Sequence, residues 1–320
     1  MTNIDIVIPV YNEGRGLENH LAVIREAVTA IPGEDFHFII VNDGSTDDTL
    51  EHLHRIRPAY ESMDFISLTR HFGKEAAILA GLEHSQGKAV VVMDSDLQHP
   101  PELIKNMVAL WKEGILVIEA CKRSRGREGV VKGVLTKLFF RAYKLLVGRD
   151  ITNHSDYKLL DRRVADYYCA LPERKRFFRG LVSWMGFSSA SIYFDVPERQ
   201  EGIGVWTPLG LSRLSIDALT GFTSAPLYVI NILGGICFVL SLAIGGLALY
   251  HKFIGVAVSG LTTVILLILL IGSFIMFGLG LIGVYIGQIF TEVKNRPIYL
   301  MDEQKDGGLA RDHNAEPKPK

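Results

Sequence analysis

The sequence is poor in cysteine. Its three, Cys121, Cys169 and Cys237, lie far apart and form no CxxC pair. That argues against a disulfide framework or a cysteine-based zinc centre and fits a reducing compartment. It also lacks an excess of charge of either sign. Basic residues number 34 and acidic residues 35, a formal net charge of −1, so no overall basic field points to nucleic acid. No signal peptide is visible, because Met1 is followed by polar Thr2 and Asn3 and then a strand-like run. The expectation is an N-terminal domain that stays in the cytosol. The most informative absence is local: Leu227–Tyr250 and Phe253–Thr291 contain no Asp, Glu, Lys or Arg.

A spanning helix needs about 20 predominantly apolar residues. The two uncharged stretches therefore predict a transmembrane hairpin over 227–290, with helices at about 227–250 and 261–288; a buried hairpin of a soluble protein is the alternative. Arg213, Lys294 and Arg296 flank the outer ends, and only Lys252 lies near the turn, which puts both ends on the cytosolic side. In 208–226, Leu209, Leu211, Leu214, Ile216 and Leu219 alternate with Ser212, Arg213, Ser215 and Asp217. That pattern suits an interfacial amphipathic helix and equally an ordinary core-facing one. Residues 291–320 form a polar cytosolic tail whose composition, from Asp302 on, predicts disorder. Gly278-Leu279-Gly280-Leu281-Ile282-Gly283 matches GxGxxG but sits inside a predicted span, so close helix packing through small residues, continued at Gly287, is the better reading.

Residues 1–207 alternate short apolar runs with amphipathic segments. Strands are predicted at Ile4–Val10, Phe36–Val41, Phe65–Leu68, Ala89–Met93 and Leu116–Ala120. Helices are predicted at Leu17–Ala30, Thr46–Arg57, Lys74–His84, Glu102–Glu113, Val130–Val147 and Asp161–Ala170. Strand-then-helix alternation at this spacing predicts an α/β domain, a mostly parallel sheet with helices on both faces. Ligands of such sheets bind beyond the carboxyl ends of the strands.

Three polar segments leave those strand ends. Asp94-Ser95-Asp96 follows the apolar run Val90–Met93, and Gln98 comes two residues later. Hard oxygen ligands at this spacing suit Mg²⁺ or Mn²⁺ bridging a diphosphate. A bare D-x-D is weak; the buried strand before it and His99-Pro100-Pro101-Glu102 opening a helix after it strengthen the reading. Pro9-Val10-Tyr11-Asn12-Glu13 is a place to hold a base or ribose, or a simple turn. Asp43-Gly44-Ser45-Thr46 offers a carboxylate to a base, or only a partner for a helix cap.

Together, VIPVYNE, VNDGSTDDT, LTRHFGKEAA and MDSDLQHPPE resemble family 2 glycosyltransferases of the GT-A fold, and within them polyprenyl-phosphate hexose synthases such as dolichyl-phosphate mannose synthase-like enzymes and bactoprenol glucosyltransferases. Asp156–Arg162, Arg176–Leu181 and Ile282–Gly287 extend the likeness over nearly the whole chain. By position, the resemblance implies that Pro9, Tyr11, Glu13, Asp43, Asp94 and Ser95 contact the nucleotide and that Asp94, Asp96 and Gln98 bind the metal. It implies that Arg123 and Arg199 face phosphate, and that Asp156 orients the acceptor or acts as a base. Asp96, Arg123, Asp156 and Arg199 are then the catalytic set. Taken alone, either arginine reads as a surface charge. The implied reaction is inverting transfer from a nucleotide sugar, UDP-linked, to polyprenyl phosphate. The implied setting is the bacterial inner membrane: multi-pass, catalytic domain cytosolic, a homo-oligomer with a tetramer among the options. The chain departs from the family at His71, where Asn is usual, and at Gly202-Ile203-Gly204-Val205-Trp206, which lacks the lysine of G-x-[ST]-K-[WY]. Two other readings stay open. A processive polysaccharide synthase would show Q-x-x-R-W and more spans, and neither is present. A non-catalytic nucleotide-sugar-binding membrane module would tolerate the lost lysine.

Overall fold

The computed structural model describes residues 2–123, 154–194, 225–255 and 260–302. They belong to two compact units: 2–123, 154–194 and 296–302 in the first, 225–255 and 260–295 in the second.

The first unit is built on one sheet of β1 (Thr2–Val10), β2 (Glu34–Asn42), β3 (Met63–Ser67), β4 (Ala89–Val92), β5 (Val117–Lys122), β6 (His154–Asp161) and β7 (Ser189–Phe194), in the order β3-β2-β1-β4-β6-β5-β7. β6 runs antiparallel to both its neighbours, β4 and β5, and every other pairing is parallel. Six strands therefore point one way. The expected mostly parallel α/β sheet is present, extended by β6 and β7, which carry no long apolar run in the sequence.

Both faces of the sheet are covered, which is why its central strands are apolar almost throughout. Ile4, Ile6, Ile8 and Val10 of β1 join Leu17, Leu21, Ile24 and Val28 of α1 (Gly14–Thr29) in one core. The helical residues recur at the spacing of a single face, and each contributes about 1.5–3 kcal/mol by leaving water. Leu53 and Ile56 of α2 (Thr49–Ile56) and Ile104 and Met107 of α4 (Leu103–Lys112) enter the same core. On the other face Val7 meets α3 (Lys74–His84) at Gly81, where a Cβ would lie 2.2 Å from Val7 Cγ1. α5 (Arg162–Ala170) packs on α3, and α6 (Phe178–Trp184) on β6. The expected tail is ordered at its start: Met301 bridges Leu68 in antiparallel fashion just past β3.

The second unit consists of α7 (Ala225–Phe253) and α8 (Leu261–Val293). Among the described residues one helix, Leu270–Val293, is long and apolar enough to cross a membrane, at 24 residues and with mean hydropathy 2.1 over an 18-residue window. At about 1.5 Å per residue it covers a hydrocarbon layer of about 30 Å. Its surface is apolar and open, as at Ile275, Phe277 and Val293, an exposure water does not favour. α7 runs for 29 residues and contains the uncharged stretch Leu227–Tyr250, of which Ile232–Leu247 is the apolar part read among the described residues. The GxGxxG run lies inside α8, as expected, but a Cβ at Gly278 would only touch Ile230 at 3.5 Å, and at Gly280, Gly283 and Gly287 nothing lies within 4 Å. Among the described residues, Gly278 is thus the one of the four with a neighbouring side chain in contact range. The predicted helices at 130–147 and 208–226 lie outside the described residues.

Candidate active site

The chain winds outward from β1 through β2 to β3, then returns to β4 on the other side of β1. The carboxyl ends of β1 and β4 therefore flank the point where the winding reverses, the place where open α/β sheets bind ligands. A cleft of about 300 Å³ opens there, lined by Pro9, Val10, Tyr11, Glu13, Asp43, His71, Lys74, Asp94, Ser95 and Asp96. The three polar segments picked out by sequence converge in it.

Its rim is cross-laced. Asn12 takes φ 56°, in the left-handed region where Asn is among the better-tolerated side chains. Its N–H donates to Ser45 Oγ at 3.0 Å, and its Oδ1 accepts from Thr46 N–H at 2.9 Å. The Glu13 N–H donates to Thr49 Oγ1 at 2.9 Å, so the segments after β1 and β2 are tied together at three points. Gly44 has φ +64°, and a Cβ there would sit 2.2 Å from the Arg70 carbonyl carbon. That lets the loop after β3 close over Asp43, whose oxygens accept from the Phe72 N–H at 2.7 Å and the Gly73 N–H at 2.9 Å. His71 Nδ1 lies 2.8 Å from the same carboxylate, and the His71 ring stacks on Tyr11 with centroids 4.1 Å apart. Burial pushes the Asp43 carboxyl up, and those donors oppose it. Asp43 is thus clasped by the loop after β3 while still lining the cleft.

A charge cluster adjoins the cleft through Lys74 and Asp94, which line it, whereas Asp156 and Arg179 lie behind that lining. Lys74 Nζ lies 2.5 Å from Asp94 Oδ1 and 2.8 Å from Asp156 Oδ2. Arg179 grips Asp156 with both arms, Nε to Oδ1 at 2.6 Å and Nη2 to Oδ2 at 2.9 Å. Because β6 is antiparallel, Asp156 reaches the binding edge from the start of its strand, whereas the other groups reach it from strand ends. Burial works against ionisation of Asp156, but Lys74 and Arg179 outweigh it and hold the carboxyl well below the usual range. A carboxylate in that state orients its neighbours and is a poor proton acceptor, which favours the orienting reading of Asp156 over the base reading. Asp94 is likewise held low, with burial opposed chiefly by the Lys74 ammonium. Burial and the adjacent Asp156 push Glu75 up to about 8.

Asp96 Oδ1 accepts from the Gln98 N–H at 3.1 Å, and Leu97 at φ 55° folds the loop back on itself. Asp94, Asp96 and Gln98 offer only oxygen donors here, a set that fits a hard divalent cation. A second group with ligating atoms, Glu119, Cys121 and His154, is closed off: Lys158 Nζ lies 2.5 Å from Glu119 Oε1, and His154 Nδ1 lies 2.8 Å from Oε2. Arg123 follows β5 at the binding edge and is exposed, with its N–H bonded to the Phe194 carbonyl at 2.8 Å; it is not among the cleft-lining residues. Arg199 and the Gly202–Trp206 loop lie outside the described residues.

Residues 5–168 match glycosyl transferase family 2. The chain belongs to that family. This glycosyltransferase is 37 % identical over 302 residues to an uncharacterized glycosyltransferase of Synechocystis, covering 94 % of this chain and 95 % of the relative. It is 31 % identical over 306 residues to the bactoprenol glucosyl transferase of Shigella phage SfII, covering 95 % and 99 %. An Escherichia coli prophage bactoprenol glucosyl transferase homolog is 29 % identical over 304 residues, covering 94 % and 99 %. The alignments run well past the matched family segment and take in the long C-terminal helices. Sequence reading gave no role to Lys74, Glu75, Asn12 or Arg179 of this glycosyltransferase, although they lie in segments it singled out. The signal available was a helix opened by Gly73-Lys74-Glu75 directly after a strand-end loop.

Proposed function

We propose that this glycosyltransferase transfers a hexose or N-acetylhexosamine from a UDP-sugar to polyprenyl phosphate, undecaprenyl phosphate in a bacterial inner membrane, with inversion at the anomeric carbon. The observation that carries the reading is the convergence of Asp94-Ser95-Asp96 with Pro9–Glu13 and Asp43 in one cleft at the switch point. The near end-to-end likeness to proteins named bactoprenol glucosyl transferase supports the acceptor. The apolar C-terminal helix supports work at a bilayer, since a long isoprenoid stays there. The full reading has two spans, a cytosolic catalytic domain and a homo-oligomer.

Pro9, Tyr11, Glu13, Asp43 and Ser95 hold the nucleotide, and Asp43 also ties the surrounding loops together. Asp94, Asp96 and Gln98 would hold Mg²⁺ or Mn²⁺, which supplies charge neutralisation for the leaving diphosphate. A phosphate monoester with second pKa of about 6 is already largely anionic near neutrality, so the acceptor needs placement more than a general base. Arg123 and Arg199 supply charge-assisted donors for that placement, and Asp156 keeps Lys74 and Arg179 aimed at the cleft. The decisive experiment is incubation of the purified full chain with UDP-sugars, Mn²⁺ and undecaprenyl phosphate, with mass detection of the lipid. A polyprenyl-phosphate sugar supports the reading. A polymer, or donor binding without turnover, replaces it with the processive synthase or the binding module.

A further inference from the structure

The chain leaves α8 at Val293 and within a few residues is stitched to the first unit. The Thr69 N–H donates to the Leu300 carbonyl at 2.9 Å, and the Asp302 N–H donates to the Ser67 carbonyl at 2.8 Å. Between these bonds Leu68 and Met301 face each other as an antiparallel bridge. The Tyr299 hydroxyl bonds to the Glu83 carboxylate near the end of α3. This short piece therefore holds the loop leaving β3 and the far end of α3 together. Between those two points lie His71, Phe72, Gly73 and Lys74, which clasp Asp43 and bridge Asp94 to Asp156. β3 is also the outer strand of the sheet, and the bridge lies just past its end, where an unpaired edge would otherwise begin.

We infer that Tyr299–Asp302 is a positioning strap for the donor cleft. By pairing with Ser67–Thr69 it fixes the loop that carries His71 and Lys74, so nucleotide affinity depends on residues that follow the long helix. The strap acts through the loop with which it pairs, at Ser67, Leu68 and Thr69. The inference rests on the cleft being the nucleotide site.

The test uses the full-length protein in detergent or nanodiscs, with UDP and Mn²⁺ as the probe. Asp302→Pro removes the N–H that bonds to Ser67, whereas Asp302→Ala keeps it. The Pro variant is expected to raise the Kd for UDP about tenfold, the scale of one or two backbone hydrogen bonds. The Ala variant is expected to stay within about twofold of the parent. Amide hydrogen exchange at Thr69 and Gly73 should quicken in the Pro variant, while exchange in β1 and β4 does not, which separates a loosened loop from a failed fold. In turnover, the change should appear in the KM for donor with kcat nearly unchanged. Unchanged UDP affinity in Asp302→Pro with exchange at Thr69 accelerated would overturn the strap alone. Equal damage from Ala and Pro would also overturn it, by placing the effect in the side chain. No UDP binding by the parent protein would instead overturn the donor-site reading, and the strap with it.

Discussion

Two groups on one strand, two residues apart and facing the same way, meet opposite fates. Asp156 and Lys158 both lie in β6, and both are buried charges with short ionic partners. Lys158 is wholly buried and sealed: Glu119 at 2.5 Å takes its charge, and His154 closes the other carboxylate oxygen. Asp156 instead shares Lys74 with Asp94, and Lys74 lines the cleft. A sealed set has nothing left to offer a ligand and serves the fold. An open set, whose lysine divides itself between two carboxylates at the edge of a cleft, keeps valence for chemistry. Damage to the open set should therefore appear in ligand binding and turnover, and damage to the sealed set in stability.

The largest effect is expected beside the open set, at Asp96. Asp96→Ala removes a hard oxygen donor where the leaving diphosphate needs neutralisation, and should lower kcat/KM by about 10³-fold, about 4 kcal/mol. The melting temperature should move little, because Asp96 has no ionic partner among the described residues. Full turnover with unchanged Mn²⁺ demand would break the metal assignment.

Next in size is the sealed set. Glu119→Gln leaves the Lys158 ammonium buried without its carboxylate, which should cost about 3 kcal/mol of stability and leave the donor KM within about twofold. The pH dependence follows from the same pair. His154 and Lys158 outweigh burial and hold Glu119 down to about 2 in the folded protein, against an ordinary 4.5. Its folded pKa is depressed, so its contribution is fully present above about pH 4.5 and is lost as pH falls toward 2. The parent should lose melting temperature steeply from pH 5 to pH 3, and Glu119→Gln should start lower and fall less. Parallel melting curves for the two proteins would contradict the assignment.

Lys74→Met tests how the open set divides its charge. A cation binding at Asp94 must compete with an ammonium 2.5 Å away. Removing it should tighten Mn²⁺ binding about tenfold, about 1.4 kcal/mol, while slowing turnover. Titration followed by electron paramagnetic resonance reads the first quantity directly. Weaker Mn²⁺ binding in the variant would mean that Lys74 supports the metal site and does not compete with it.

The carboxylates that line the cleft were legible in the sequence, and the sealed set was not. Asp94 and Asp96 follow Ala89–Val92, an apolar run that announces a buried strand, and Gly44 marks its own turn. β6 reads His-Ser-Asp-Tyr-Lys-Leu-Leu-Asp, with polar residues where a buried strand ordinarily shows none. Its burial depends on Glu119, Arg179 and Lys74, all distant along the chain, so no local pattern could reveal it. The same limit hid the role of Lys74, which only the meeting of α3, β4 and β6 makes visible. α8 was legible by composition, and the docking of Tyr299–Asp302 was not, because backbone pairing at a sheet edge leaves little trace in side-chain chemistry.

The smallest effect is expected where the chain departs from its family. His71 supports the rim by stacking on Tyr11 and meeting Asp43, but Phe72 and Gly73 hold the same carboxylate through their own N–H groups. His71→Asn keeps a donor for Asp43 and gives up the stack, which is worth about 0.5–1 kcal/mol. The Kd for UDP in the presence of Mn²⁺ should therefore rise about threefold, with kcat unchanged. A rise beyond about thirtyfold would mean that the imidazole touches the nucleotide itself. The boundary between what props the cleft and what binds in it would then have to move from Asp43 out to His71.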